Sequence, residues 1–101
     1  MPQTYVLKKE KENMQAYKKR VLYAKIWKAR EHCAGSDVRD HETVEKEILD
    51  AKDYAEQFKA GDIIIGKLMK ALEIMRTANN YYQRLPADDI LCDILNHDLE
   101  G

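Results

Sequence analysis

The chain has 101 residues, 45% of them hydrophobic and 35% charged, with a formal net charge of −1. That length suits a single domain with one modest core, and the high charged share favours amphipathic helices over a sheet. No stretch approaches the 18 apolar residues that a membrane-spanning helix needs, and the near-neutral balance argues against strong sequence-independent DNA binding.

The charge is unevenly spread along the chain. Residues 1–30 carry a net +7, residues 31–62 a net −6, residues 63–85 a net +3 and residues 86–101 a net −5. Such blocks point either to partners or to pairing within the fold. Between residues 3 and 85 no proline interrupts the chain, so long helices are permitted. The expected architecture is all-α: a three- to four-helix antiparallel bundle with a long basic N-terminal helix and a short acidic C-terminal one.

The first helix is predicted over about 5–33. Met14, Tyr17, Val21 and Ala24 fall on one face at three- and four-residue steps, and Leu22, Ile26, Ala29 and Cys33 form a second apolar face beside it. On the same helical wheel Lys19, Arg20, Tyr23, Trp27 and Arg30 share an arc. Tyr23 and Trp27 lie four apart and can stack along it. Aromatic residues framed by arginine and lysine are the composition of a protein-interface centre and also of a nucleic-acid contact face. The competing explanation is internal, with the acidic back of the second helix or the acidic C-terminal segment covering the arc. Ala34-Gly35-Ser36-Asp37 then supplies turn chemistry.

The second helix is predicted over about 41–60, with Asp40 or Thr43 as its cap. Val44, Ile48, Ala51, Ala55 and Phe58 make a 4-3-4-3 stripe, while Asp50, Asp53 and Glu56 form an acidic back. Gly61 is expected just past its end. The third helix, about 62–85, has Asp62 as candidate cap and the stripe Ile64, Leu68, Ala71, Met75, Ala78, Tyr82 and Leu85. Ile63, Ile65, Leu72, Ile74 and Tyr81 widen that stripe, so this helix reads as the most buried. Pro86 ends it and suits the first turn of a last helix over about 87–97. That helix carries Ile90, Leu91, Ile94 and Leu95.

Chemistry-bearing motifs are scarce. Asp88, Asp89 and Asp93 read as helix-end residues, since a Mg²⁺ site also needs a second ligand set and a deep pocket. The spacing of His32, Cys33, His41, Cys92 and His97 matches no structural zinc pattern, so no metal is expected. His32 and Cys33 are adjacent on a helix and point about 100° apart, which does not make a nucleophile–base pair. There is no glycine-rich phosphate loop, and the chain holds a single serine. The expectation is therefore a non-catalytic protein without a cofactor. It would be a protein-binding regulator or inhibitor that uses Lys19, Arg20, Tyr23, Trp27 and Arg30 against another protein with an acidic surface, with a homodimer as an open alternative. A nucleic-acid-associated protein and a small structural subunit of a larger assembly are the competing readings. The Lys8–Lys11 segment and the lack of a long apolar run after it predict no secretory leader, and hence a cytoplasmic location with reduced thiols.

Overall fold

The computed structural model describes the backbone of residues 2–99 and the side chains of residues 16–99. Four helices pack against one another: α1 (Pro2–Ala34), α2 (His41–Gln57), α3 (Asp62–Thr77) and α4 (Leu85–Asp93). A 3-10 turn, Tyr82–Arg84, leads into α4, and a π-helical turn, Ile94–Asp98, continues it. No strand occurs among the described residues. α1 and α3 each pack on both α2 and α4, so the four helices close around one core.

In α1 that core takes Leu22, Ile26, Ala29 and Cys33, all fully buried. Their 4-3-4 spacing puts them on one stripe. The neighbouring face is not core: Tyr17 is 66% exposed, Ala24 is exposed and Val21 half-buried, while the Met14 side chain lies outside the described residues. A helix that meets two neighbours covers only one stripe, so the face carrying Tyr17, Val21 and Ala24 stays largely on the surface.

α2 starts where Asp40 accepts a hydrogen bond from the Thr43 amide at 3.1 Å, satisfying one orphan donor of the first turn. Val44, Ile48, Ala51 and Ala55 are buried and Phe58 packs against them. The helix closes earlier than the expected residue 60. The Ala60 amide donates to the Ala55 carbonyl at 2.8 Å and the Lys59 amide to the Glu56 carbonyl at 3.2 Å. This is a Schellman closure with Lys59 in the left-handed region at φ 61°. Gly61 therefore does not end α2. At φ 104° it is the N-cap of α3, displacing Asp62 from that role.

α3 buries Ile64, Leu68, Ala71, Leu72 and Met75, but it ends at Thr77, not near residue 85. The Thr77 hydroxyl donates to the Glu73 and Ile74 carbonyls at 3.1 and 3.3 Å, and Ala78 turns extended with ψ 133°. The Asn79 amide then donates to the Gln83 side chain, and the Gln83 amide to the Asn80 side chain. Those side chains offer the backbone partners that compete with a continuing helix. The stripe was also drawn too wide: Ile63 is 69% and Tyr82 76% exposed. In the last segment Pro86 sits in the first turn of α4, and Ala87, Leu91, Ile94, Leu95 and Leu99 complete the core.

Arg84 is 2% exposed and ties three parts of the chain together. Its Nε donates to the Cys33 carbonyl at 2.9 Å. Its Nη2 donates to the His32 carbonyl at 3.3 Å and the Arg39 carbonyl at 2.7 Å. Nη1 lies 3.0 Å from His41 Nδ1, which must accept because the guanidinium has only donors. The His41 proton then sits on Nε2, 3.3 Å from the Asn80 carbonyl. No carboxylate pairs with Arg84 among the described residues. The charge is met instead by carbonyls at the C-terminal end of α1, which lack intrahelical partners and carry the negative end of the helix dipole.

Exposed and half-exposed ion pairs join the helices outside the core. Lys25 meets Asp50 at 2.7 Å and Arg76 meets Glu45 at 2.9 Å, while Lys67 contacts both Asp93 and Asp98 at 2.6 Å. Each contributes at most about 1 kcal/mol; Arg84 contributes more. Arg84→Ala should lower unfolding free energy by about 3–5 kcal/mol, because it strands buried carbonyls and an imidazole nitrogen together. Arg84→Lys should recover only part of it, since an ammonium cannot reproduce the planar fork. Urea denaturation followed by circular dichroism measures both, and a change below about 0.5 kcal/mol, typical of surface sites, would contradict this account.

Candidate functional site

Of the residues singled out in the sequence, Lys19, Arg20 and Tyr23 lie beside Leu99, just past the π turn, Arg30 reaches α4 at Asp88, and Trp27 stands between them on the outside of α1. Trp27 is 49% and Tyr23 40% exposed. Arg20 is exposed and Lys19 half-buried, and neither makes an ion pair among the described residues. The packing of Leu22, Ile26 and Ala29 fixes the rotation of the helix and so turns Tyr23 and Trp27 outward.

Lys19, Arg20 and Tyr23 also share a shallow groove of about 260 Å³ with Ala16 and Leu99. Leu99, 7% exposed, brings the end of the chain against α1 and forms an apolar wall beside the Tyr23 ring. The sequence reading missed it, although a signal was there: Leu99 lies four residues beyond Leu95 and extends the apolar side of the last helix.

Arg30 differs from the other four. Its guanidinium turns toward α4, with Nη1 2.9 Å from Glu31 and Nε 3.5 Å from Asp88. Nε of Arg30 and Oδ1 of Asp88 are both shielded from solvent. Burial pushes the Asp88 carboxyl above the usual carboxylate range, against the opposing pull of Arg30. Asp88 also receives the Cys92 thiol at 4.0 Å. The structure thus separates an outward group, Lys19, Arg20, Tyr23 and Trp27, from an inward anchor, Arg30.

The histidines are occupied by other partners. His32 lies between Glu47 at 2.6 Å and Asp37 at 3.4 Å, and His41 faces Arg84. Among the described residues no three His, Cys, Asp or Glu side chains converge as a metal site. Both cysteines are free thiols. Comparison with known proteins gave no relative: no family model, curated protein or solved structure matches the chain. Among the described residues no helix is long and apolar enough to cross a membrane.

The buried thiol has a measurable signature. Desolvation first, and the nearby Asp88 charge second, push Cys33 from 9.0 up to about 11. In the native state at neutral pH Cys33 should therefore resist alkylation, becoming reactive only on unfolding. Since the folded thiol holds its proton more tightly than the unfolded one, its contribution is intact below about pH 9 and is lost as pH rises toward 11. Urea midpoints at pH 8 and pH 10 should fall further for the native sequence than for Cys33→Ala; equal drops would mean that Cys33 is not the group responsible.

Proposed function

We propose that the protein is a non-catalytic, protein-binding regulator or inhibitor that presents α1 to an acidic surface of another protein. One observation carries this reading: Trp27 and Tyr23 stand half-exposed on successive turns of α1, and Tyr23 lines, with Lys19 and Arg20, a groove walled by Leu99. Large aromatic side chains with a basic flank are the usual anchors of an interface, and the two cations would meet carboxylates of the partner. Arg30 acts from beneath, holding α1 against α4 through Asp88.

The distribution of cations favours a protein over nucleic acid. Lys25, Lys28 and Arg30 already pair with Asp50, Glu47 and Asp88. Among the described side chains, Lys18, Lys19 and Arg20 remain as a short cluster, where a phosphate-binding face calls for many contacts. The same ion pairs support an antiparallel bundle. Down α1 from His32 to Lys25 the partners on α2 run from Glu47 to Asp50, and the pairing of Arg76 with Glu45 joins the end of α3 to the start of α2. Two free thiols fit a reducing, cytoplasmic setting.

The test compares baits. The partner captured from native lysate by the full chain should be lost with Trp27→Ala and largely kept with Arg20→Ala, a difference of at least about 1–2 kcal/mol in binding. Affinity for that partner should fall only modestly with salt, whereas counterion release would make a nucleic-acid complex fall steeply. Micromolar binding to duplex DNA or RNA that is abolished by Lys19→Ala and Arg20→Ala would replace this reading with the nucleic-acid one.

A further inference from the structure

A different face of the molecule carries an independent inference. Gly66 occupies the middle of α3 and is exposed. Glycine inside a helix is unfavourable relative to alanine, so it calls for a reason. Nothing among the described residues supplies one, because a Cβ built at Gly66 meets none of their atoms within 4 Å. Its backbone φ is not in the left-handed region either. What glycine does provide is a flat spot on the outside of α3 where another backbone can approach closely.

The surroundings of that spot are those of a contact. Ile63, three residues before Gly66, is 69% exposed, and Met69, three residues after, is 53% exposed. Beside them runs a groove of about 620 Å³ between α2 and α3, lined by Leu49, Gly66 and Met69 together with the charged Lys52, Lys70, Glu73 and Arg76; Lys52 and Arg76 already pair with Glu56 and Glu45. Leu49 is itself 36% exposed. An apolar strip of this kind at the centre of a solvent face marks an interaction site.

The geometry points to a second copy of this chain as the occupant, in a two-fold dimer whose α3 helices cross antiparallel at Gly66. The charges decide in favour of the copy. In such a crossing each residue before Gly66 comes level with the residue equally far after it in the partner copy. Ile63 then lies level with Met69, apolar with apolar. Asp62 lies level with Lys70, acid with base. Lys59, in the turn before α3, comes near Glu73 with the same complementarity. Asp62, Lys70, Glu73 and Lys59 are all exposed and make no ion pair among the described residues. The face thus matches its own image in apolarity and in charge, which a surface selected for an unrelated acidic partner would not do. The proposal stands apart from the α1 reading: the two faces use no residue in common, and a dimer through α3 leaves Trp27 and Tyr23 available.

Sedimentation velocity of the full chain from about 1 to 500 μM covers the affinity range of such contacts. The mass should rise with concentration from 11.8 kDa toward twice that value. Gly66→Gln should hold the chain at the single-copy mass at every concentration. Its melting temperature at low concentration should be equal or higher, since glutamine favours helix more than glycine does and meets nothing inside the fold. Lys70→Glu should weaken self-association about tenfold, and adding Asp62→Lys to the same chain should restore it. A native chain that stays at the single-copy mass throughout overturns the proposal, as does self-association untouched by Gly66→Gln. Self-association that is lost with Trp27→Ala and kept with Gly66→Gln also overturns it, moving the dimer contact to α1.

Discussion

A buried positive charge that meets no carboxylate among the described residues governs this fold. The Arg84 guanidinium has to find acceptors because it cannot shed its charge at that site, and it finds them at three places distant in sequence: the last turn of α1, the connection that follows it at Arg39, and His41 at the start of α2. Moving α4 without moving those acceptors would leave the charge stranded in the interior. Everything that α4 positions inherits this constraint. Asp88 reaches Arg30 because Arg84 has set where α4 begins, and Leu99 reaches Tyr23 because the same helix and its π turn run on from there. The inward turn of Arg30 and the wall beside Tyr23 are thus the far end of a chain of fits that starts at a side chain with no visible role in the sequence.

The core of the fold was readable because burial leaves a period in the sequence. Leu22, Ile26, Ala29 and Cys33, then Val44, Ile48, Ala51 and Ala55, then Ile64, Leu68, Ala71 and Met75 all recur at helical spacing and all are buried. The boundaries were less readable, because they depend on local competition that periodicity does not see. Lys59, not Gly61, takes the left-handed position that closes α2, and the side chains of Asn80 and Gln83 draw the backbone away from a helix that the apolar spacing would have continued. Arg84 was invisible for a related reason: a basic residue before Leu-Pro looks like surface, and only the arrival of unpaired carbonyls from α1 makes it interior. Of the candidate site, the outward turn of Tyr23 and Trp27 follows from the wheel once the core stripe is known. The inward turn of Arg30 does not, since it depends on where α4 places Asp88.

The charge blocks along the chain also acquire a physical meaning. Part of the basic excess of α1 is paired within the chain, on Asp50, Glu47 and Asp88, and part of the acidic excess of the last segment meets Lys67. Block asymmetry therefore overstated how charged any one surface is. Among the described side chains of α1, Lys18, Lys19 and Arg20 remain as a small basic cluster near two aromatic rings.

The order in which the helices touch has a kinetic corollary. Three of the four helix–helix contacts join neighbours along the chain, and such local contacts form quickly, on a scale of roughly microseconds to milliseconds for helical domains. The closure of α1 on α4 is the exception: the bond between Cys33 and Arg84 spans 51 residues and has the largest loop entropy to overcome. That closure is accordingly the last of the four to form, and it is the step in which the Arg84 guanidinium exchanges water for the carbonyls at the end of α1.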